Sequence, residues 1–224
     1  MTDAKSASIT TLIAIPAAIT LCVTILRLIG ELQGWSPLFF NRAAGGGAAV
    51  MGISWLPIIF GPYFAVKLAR AGEGPSSTGK SIGFACLGLV VYFLAGLWFS
   101  STFSHPTYLT LLPILLMLVT AFIPGIGWRS LGNTLLAYAF AARIPVVIVM
   151  FFAMQGNGGQ GWGTHYDAVA PMFAHASFAK KFLYEALLPQ MTMWIGWTVV
   201  VGSVVGAVVA AFARRGREAA PAAA

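Results

Sequence analysis

One arginine stands where hydrocarbon is expected. Arg143 lies near the middle of an apolar run at 134–154, and an arginine at the centre of a membrane helix costs about 2.5 kcal/mol or more. A residue kept there at such a cost faces the interior of a bundle and marks a structural or ligand-binding role. The six acids, Asp3, Glu31, Glu73, Asp167, Glu185 and Glu218, all fall in loops, tails or helix ends, so no mid-span carboxylate is offered as its counter-charge. The partners the sequence supplies are Tyr138, the carbonyl of Ala141 freed by Pro145, water, or a bound anion. Arginine's planar fork suits a carboxylate or phosphate held by two bonds.

A second group of polar residues gathers at the other side of the same runs. Arg27 and Glu31 are one helical turn apart, His165 and Asp167 flank Tyr166, and His175 and Glu185 precede the last apolar run. Convergence of Glu31, Asp167 and Glu185 with Arg27 and at least one of His165 or His175 near the outer membrane surface is expected, because polar groups on loops above an apolar bundle order by pairing with one another. The candidate ligand-binding set is therefore Arg143, Arg27, Glu31, Tyr138, Asp167 and Glu185. His165, Asp167 and His175 have the residue types of a zinc or transition-metal site. Their loose spacing on glycine-rich backbone favours an ion-pair and hydrogen-bond network over a metal.

Other chemistries lack their residues. A haem held between helices needs histidines inside the runs, and His105, His165 and His175 all lie outside them. There is no His-Glu-x-x-His and no phosphate-binding glycine loop ending in Gly-Lys-Ser/Thr. A carboxylate proton relay has no mid-membrane acid, and no serine has an evident base in its segment. The sequence names no catalytic residue and no cofactor.

The elements that must position these residues are six apolar stretches, at 9–29, 48–69, 82–100, 108–126, 134–154 and 191–213. Each has about the 20 residues a helix needs to cross hydrocarbon. Only 8% of the 224 residues are charged, against roughly a quarter in a water-soluble domain, and mean hydropathy is +0.84. The expected fold is an all-α, polytopic membrane bundle of six transmembrane helices filling residues 1–224 as one domain, with a disordered tail at 214–224. The first run is too long for a signal-peptide core. Cys22 and Cys86 lie within apolar runs and read as small buried hydrophobes, with no disulfide framework.

The net charge of +7 is unevenly placed. Eight lysines and arginines fall on the side shared by both termini, four on the other. The positive-inside rule then puts both termini in the cytoplasm, in a bacterial inner membrane. These cations serve insertion and headgroup contact, not nucleic acid. The longer outer connections, 30–47 and 155–188, each carry a Gly-Trp pair, Trp35 and Trp162, with tryptophan as interfacial anchor. Within the second, 178–188 is expected as a short interfacial helix capped by Ser177, with Phe178 and Phe182 on one side and Lys181 and Glu185 on the other. Pro189 is expected to break it from the last span.

Prolines recur within or beside five of the six runs, and each frees a carbonyl that neighbours must satisfy. Gly202, Gly206 and Ala210 repeat every fourth position in the last run, with Ala48 and Gly52 a weaker copy. Such spacing lets helix backbones approach closely, either within the chain or in a homo-oligomer or a complex with a partner subunit. Ala14 and Ala18 in the first run make a similar pair, interrupted by Pro16. With six spans, inner termini and this pair, the chain resembles the substrate-binding subunits of energy-coupling-factor vitamin transporters, which implies solute capture for a multi-component transporter. The leading expectation is small-solute transport or binding, with an anion as candidate, in an outward-facing pocket reaching towards Arg143. The alternatives are a non-catalytic subunit or scaffold of a membrane complex, and a membrane-embedded lipid enzyme using the outer His and acidic residues.

Overall fold

The first apolar run forms a continuous helix, α1 (Ile9–Leu32), three residues longer than its hydropathy suggested. The computed structural model describes residues 8–47, 49–102 and 108–219. The expectations placed on Asp3, Ala48, His105 and residues 220–224 lie outside the described residues. α1 is followed by α2 (Pro57–Arg70), α3 (Thr78–Thr102) and α4 (Tyr108–Val119). α4 passes through a tight turn at Thr120–Phe122 into the short α5 (Ile123–Gly127). Then come α6 (Arg129–Gly159), α7 (Phe178–Lys181), a widened π turn at Phe182–Leu187, α8 (Leu188–Met191) and α9 (Met193–Ala219). Helix is the only regular structure among the described residues.

Five of these segments are long and apolar enough to cross a membrane. Large apolar side chains face outward along them, among them Ile15, Ile25, Leu94, Leu97, Leu115, Ile126 and Phe152. A bundle that is apolar on its outside as well as its inside is solvated by lipid, so the chain is an integral membrane protein. Cys22 and Cys86 belong to this outer surface and are free thiols. This corrects their placement in the core.

The second apolar run departs most from expectation. Only its C-terminal part is helical, as the 14-residue α2, about two thirds of the length needed to span hydrocarbon. The described residues before it, 43–47 and 49–56, are irregular apart from a single 3-10 turn at Ala44–Gly46. Gly45, Gly46 and Gly47 adopt φ of 70°, 79° and 53°, where side-chain-bearing residues rarely go. Pro57 then opens α2 at its first turn, where a missing N–H costs nothing. Non-helical backbone at membrane depth is tolerated where protein satisfies it or where it lines a cavity, and both hold here. Trp197 donates to the Ser54 carbonyl at 2.6 Å and Arg27 to the Gly46 carbonyl at 2.8 Å.

The last helix is the hub, packing along α2, α3 and α6. Its small residues are used inside the chain. A Cβ added at Gly206 would meet the Gly61 carbonyl oxygen at 2.7 Å, and one at Gly61 would meet the Gly202 Cα at 2.7 Å. The seam read from Gly202 and Gly206 is thus the α2–α9 contact. Gly52, its proposed weaker copy, lies in the irregular stretch and not on a helix. Ala14 and Ala18 face outward on α1.

Two ends differ from expectation. α9 continues to Ala219, so residues 214–219 extend the helix instead of forming a disordered tail. The interfacial helix before it is not one piece broken at Pro189. The π turn at Phe182–Leu187 runs into α8, Pro189 sits in the first turn of α8, and the backbone leaves helical geometry at Thr192 (φ −123°, ψ −74°). The wide turn accommodates the proline, moving the break three residues on. Ser177 occupies the cap position, but its side chain makes no capping bond.

Candidate functional site

The break at Thr192 positions the deepest polar group. Gln190 precedes it on α8 and Trp194 follows it on α9, and both turn towards Arg143 of α6. Arg143 Nη1 donates to Gln190 Oε1 at 3.3 Å, and the guanidinium carbon lies 4.7 Å from the Trp194 ring centroid. Arg143 is only 4% exposed, and its Nε is buried without a partner. Among the described residues no carboxylate pairs with it. The guanidinium therefore points into the bundle, as its cost in lipid demanded, and is met by an amide and an aromatic face. A face-on aromatic stabilises a desolvated cation by about 2 kcal/mol. That is less than the several kcal/mol it costs to desolvate an ion.

Arg143 lines a cavity of about 690 Å³. Its walls come from α1 (Thr24, Arg27), the irregular stretch (Gly45, Ile53, Ser54), α6 (Arg143, Met150) and the 164–194 region (His165, Tyr166, Lys180, Glu185, Trp194). The irregular stretch before α2, the π turn and the break at Thr192 all border this space. Three permanent cations, Arg27, Arg143 and Lys180, face one carboxylate, Glu185, across a lining otherwise largely apolar.

A fully buried carboxylate clamps the roof. Glu31, in the last turn of α1, accepts from Arg27 Nε at 2.8 Å, from the His165 backbone N–H at 2.8 Å, and from His165 Nδ1 at 2.8 Å. Arg27 also donates to the carbonyls of Gly46 (2.8 Å) and Asn41 (3.2 Å), and Arg42 donates to the Glu31 carbonyl. One side-chain cluster thus ties α1, the glycine stretch and the 160s loop together. Tyr166 adds a bond from its hydroxyl to the Thr24 carbonyl at 3.1 Å. Burial, then the neighbouring Arg27, hold the His165 imidazole below its ordinary value, against the opposing pull of Glu31. Burial pushes the Tyr166 phenol well above its ordinary range.

The expected convergence is therefore partial. Arg27, Glu31 and His165 meet. Asp167 does not join them: its carboxylate turns back to accept from the Gly163 and Thr164 N–H groups at 2.9 Å each and from the Thr164 hydroxyl at 2.5 Å. This is a local loop staple. Glu185 lines the cavity and makes no ion pair with Lys181. His175 is exposed on the loop. His165, Asp167 and His175 form no metal-binding group, nor does any other set of described residues.

Tyr138 also lies elsewhere. It hydrogen-bonds the Thr20 hydroxyl at 2.8 Å and packs edge-on against Phe60 at 5.4 Å, in the core between α1, α2 and α6. The Ala141 carbonyl is not an Arg143 partner. Gln190, Trp194 and Lys180 were not singled out from sequence; a lone glutamine in an apolar run was the one available signal. Phe178 and Phe182 stack at 5.9 Å, and both meet Phe151 edge-on, fixing the π-turn segment against α6. Comparison with protein-family models, with curated proteins and with solved structures finds no match.

Proposed function

We propose that the protein is a solute-binding membrane protein whose cavity takes a small amphipathic anion, with Arg143 as its counter-charge, as a receptor or carrier. The observation that carries this reading is a desolvated guanidinium with an orphaned donor, bordering a large cavity and lacking an acid partner. A carboxylate or phosphate oxygen arriving there replaces lost hydration, and arginine's fork binds it with two parallel bonds. Trp194, Met150 and Ile53 offer the apolar body of such a ligand a dry wall. Ligand sites of this kind are concave, mostly apolar and fixed by a few polar groups.

With both termini cytoplasmic, as the lysine and arginine distribution suggests, the cavity opens outward. The scaffold reading loses its main support, because the Gly202/Gly206 face is spent within the chain. Calorimetric titration of the purified protein with 6-bromo-2-naphthoate, against the neutral 6-bromo-2-naphthamide, tests the proposal. The anion is expected to bind and the amide to bind far more weakly, with Arg143→Met losing the difference. Equal binding of acid and amide would remove Arg143 as counter-charge.

A further inference from the structure

His165 is built to take a proton from the cavity side. Glu31 is an acceptor when ionised, and it already receives Arg27 Nε and the His165 backbone N–H. Only a protonated Nδ1 fits against it at 2.8 Å. The neutral imidazole is therefore fixed with Nδ1 as donor, and Nε2 carries the lone pair. Nε2 hydrogen-bonds no described residue, while His165 lines the same cavity as Arg143. A carboxylate behind an imidazole stabilises the imidazolium once it forms, which is how a buried histidine becomes a usable base.

We infer that His165 is a proton-binding site coupled to the anion site, so that the cavity takes up its anion together with a proton. This rests on the anion reading above. The charges around the ring decide the sign. Arg27 from α1 opposes its protonation, while Glu31 behind it and Asp167 on its own loop favour it; Arg143, Lys180 and Glu185 are the other charged groups lining the cavity. With the cavity empty, burial and Arg27 outweigh Glu31 and the ring stays neutral below its ordinary value. An anion held in the cavity that His165 shares with Arg143 adds a negative neighbour in a poorly screened space. Nε2 then takes a proton from water or buffer, forming one N–H bond. Linkage is reciprocal: if the anion promotes protonation, protonation tightens the anion by the same factor.

Titrating the full-length protein with 6-bromo-2-naphthoate in buffers of different ionisation enthalpy counts the protons taken up. Uptake is expected to peak, approaching one proton per anion, at pH above the empty-state value, which lies below 6.5, and below the raised value of the anion-bound form. Affinity should rise by up to about tenfold per pH unit of acidification within the coupled range. His165→Gln should show neither uptake nor pH dependence. A second measurement needs no variant: the Nε2 signal of ¹⁵N-histidine-labelled wild type should move from the neutral to the imidazolium position when the anion is added at constant pH. Anion binding without uptake, or uptake that survives in His165→Gln, would overturn the coupling and leave the anion site standing. If the anion does not bind at all, the anion reading falls and the coupling with it.

Discussion

Replacing Glu31 by glutamine keeps the shape of the clamp and removes its charge. Glu31 is wholly buried, Arg27 is 9% exposed, and three donors converge on the carboxylate within 2.8 Å. An amide offers one acceptor oxygen and turns N–H groups towards a remaining donor. Breaking a buried ion pair by removing one partner costs about 3–5 kcal/mol, because the surviving charge is left uncompensated. Arg27 keeps the Gly46 and Asn41 carbonyls, at 2.8 and 3.2 Å, which points to the lower end, about 3 kcal/mol. At about 2–4 °C per kcal/mol for a chain of this size, Glu31→Gln should melt about 6–12 °C below wild type. The assay is thermal unfolding in detergent, followed by limited proteolysis across 156–167, where loss of the His165 anchor should expose new cuts. Removing both charges in Arg27→Met/Glu31→Met should melt closer to wild type than Glu31→Gln alone, since paired apolar replacement of a buried ion pair is often neutral. A Glu31→Gln protein that melts like wild type and resists protease equally would refute the clamp.

Further outcomes follow from the same geometry. Gly206→Leu must push α9 away from the Gly61 carbonyl, which an added Cβ would meet at 2.7 Å; overpacking of this kind costs about 1–3 kcal/mol, and an unchanged melting curve would place that face on lipid. Asp167→Ala removes three acceptor contacts from the Gly163–Thr164 turn and should cost about 1–3 kcal/mol, read as faster proteolysis of that loop. Stability should also depend on pH through His165. Its folded value lies below the ordinary 6.5, so the unfolded chain binds more protons in the window just below 6.5. Stability is then full above 6.5 and declines as pH falls towards the folded value. His165→Gln should flatten that part of a melting-temperature profile, and a profile unchanged by the substitution would exclude His165 as the source.

Arg143 was legible because its cost is local: a guanidinium in an apolar run must face inward whatever surrounds it. Arg27 and Glu31 were legible for a similar reason, since positions four apart on a helix are neighbours. The third member was legible only as one of two histidines, His165 or His175, because His165 reaches Glu31 across 134 residues of chain and no spacing rule spans that distance. Gln190 and Trp194 depend on the break at Thr192, which the sequence placed at Pro189. Tyr138 was misassigned although it lies five residues from Arg143, about 140° around the helix, and so faces α1 and α2. The shortened helix α2 had a signal in Gly45–Gly47 and Pro57, but hydropathy counts apolar residues equally in helix and in irregular backbone. Asp167 sits three residues after Thr164, a spacing at which local side-chain bonds to the turn compete with any long-range pairing.

The central claim is that the cavity holds an anion against Arg143. Anomalous diffraction from crystals grown with 6-bromo-2-naphthoate locates the probe's bromine without assumption about the rest of the density. A bromine peak inside the cavity beside Trp194, its carboxylate on the Arg143 guanidinium, and loss of that peak in Arg143→Met crystals is the predicted result. A peak outside the cavity, or one that persists unchanged in Arg143→Met, would contradict the account.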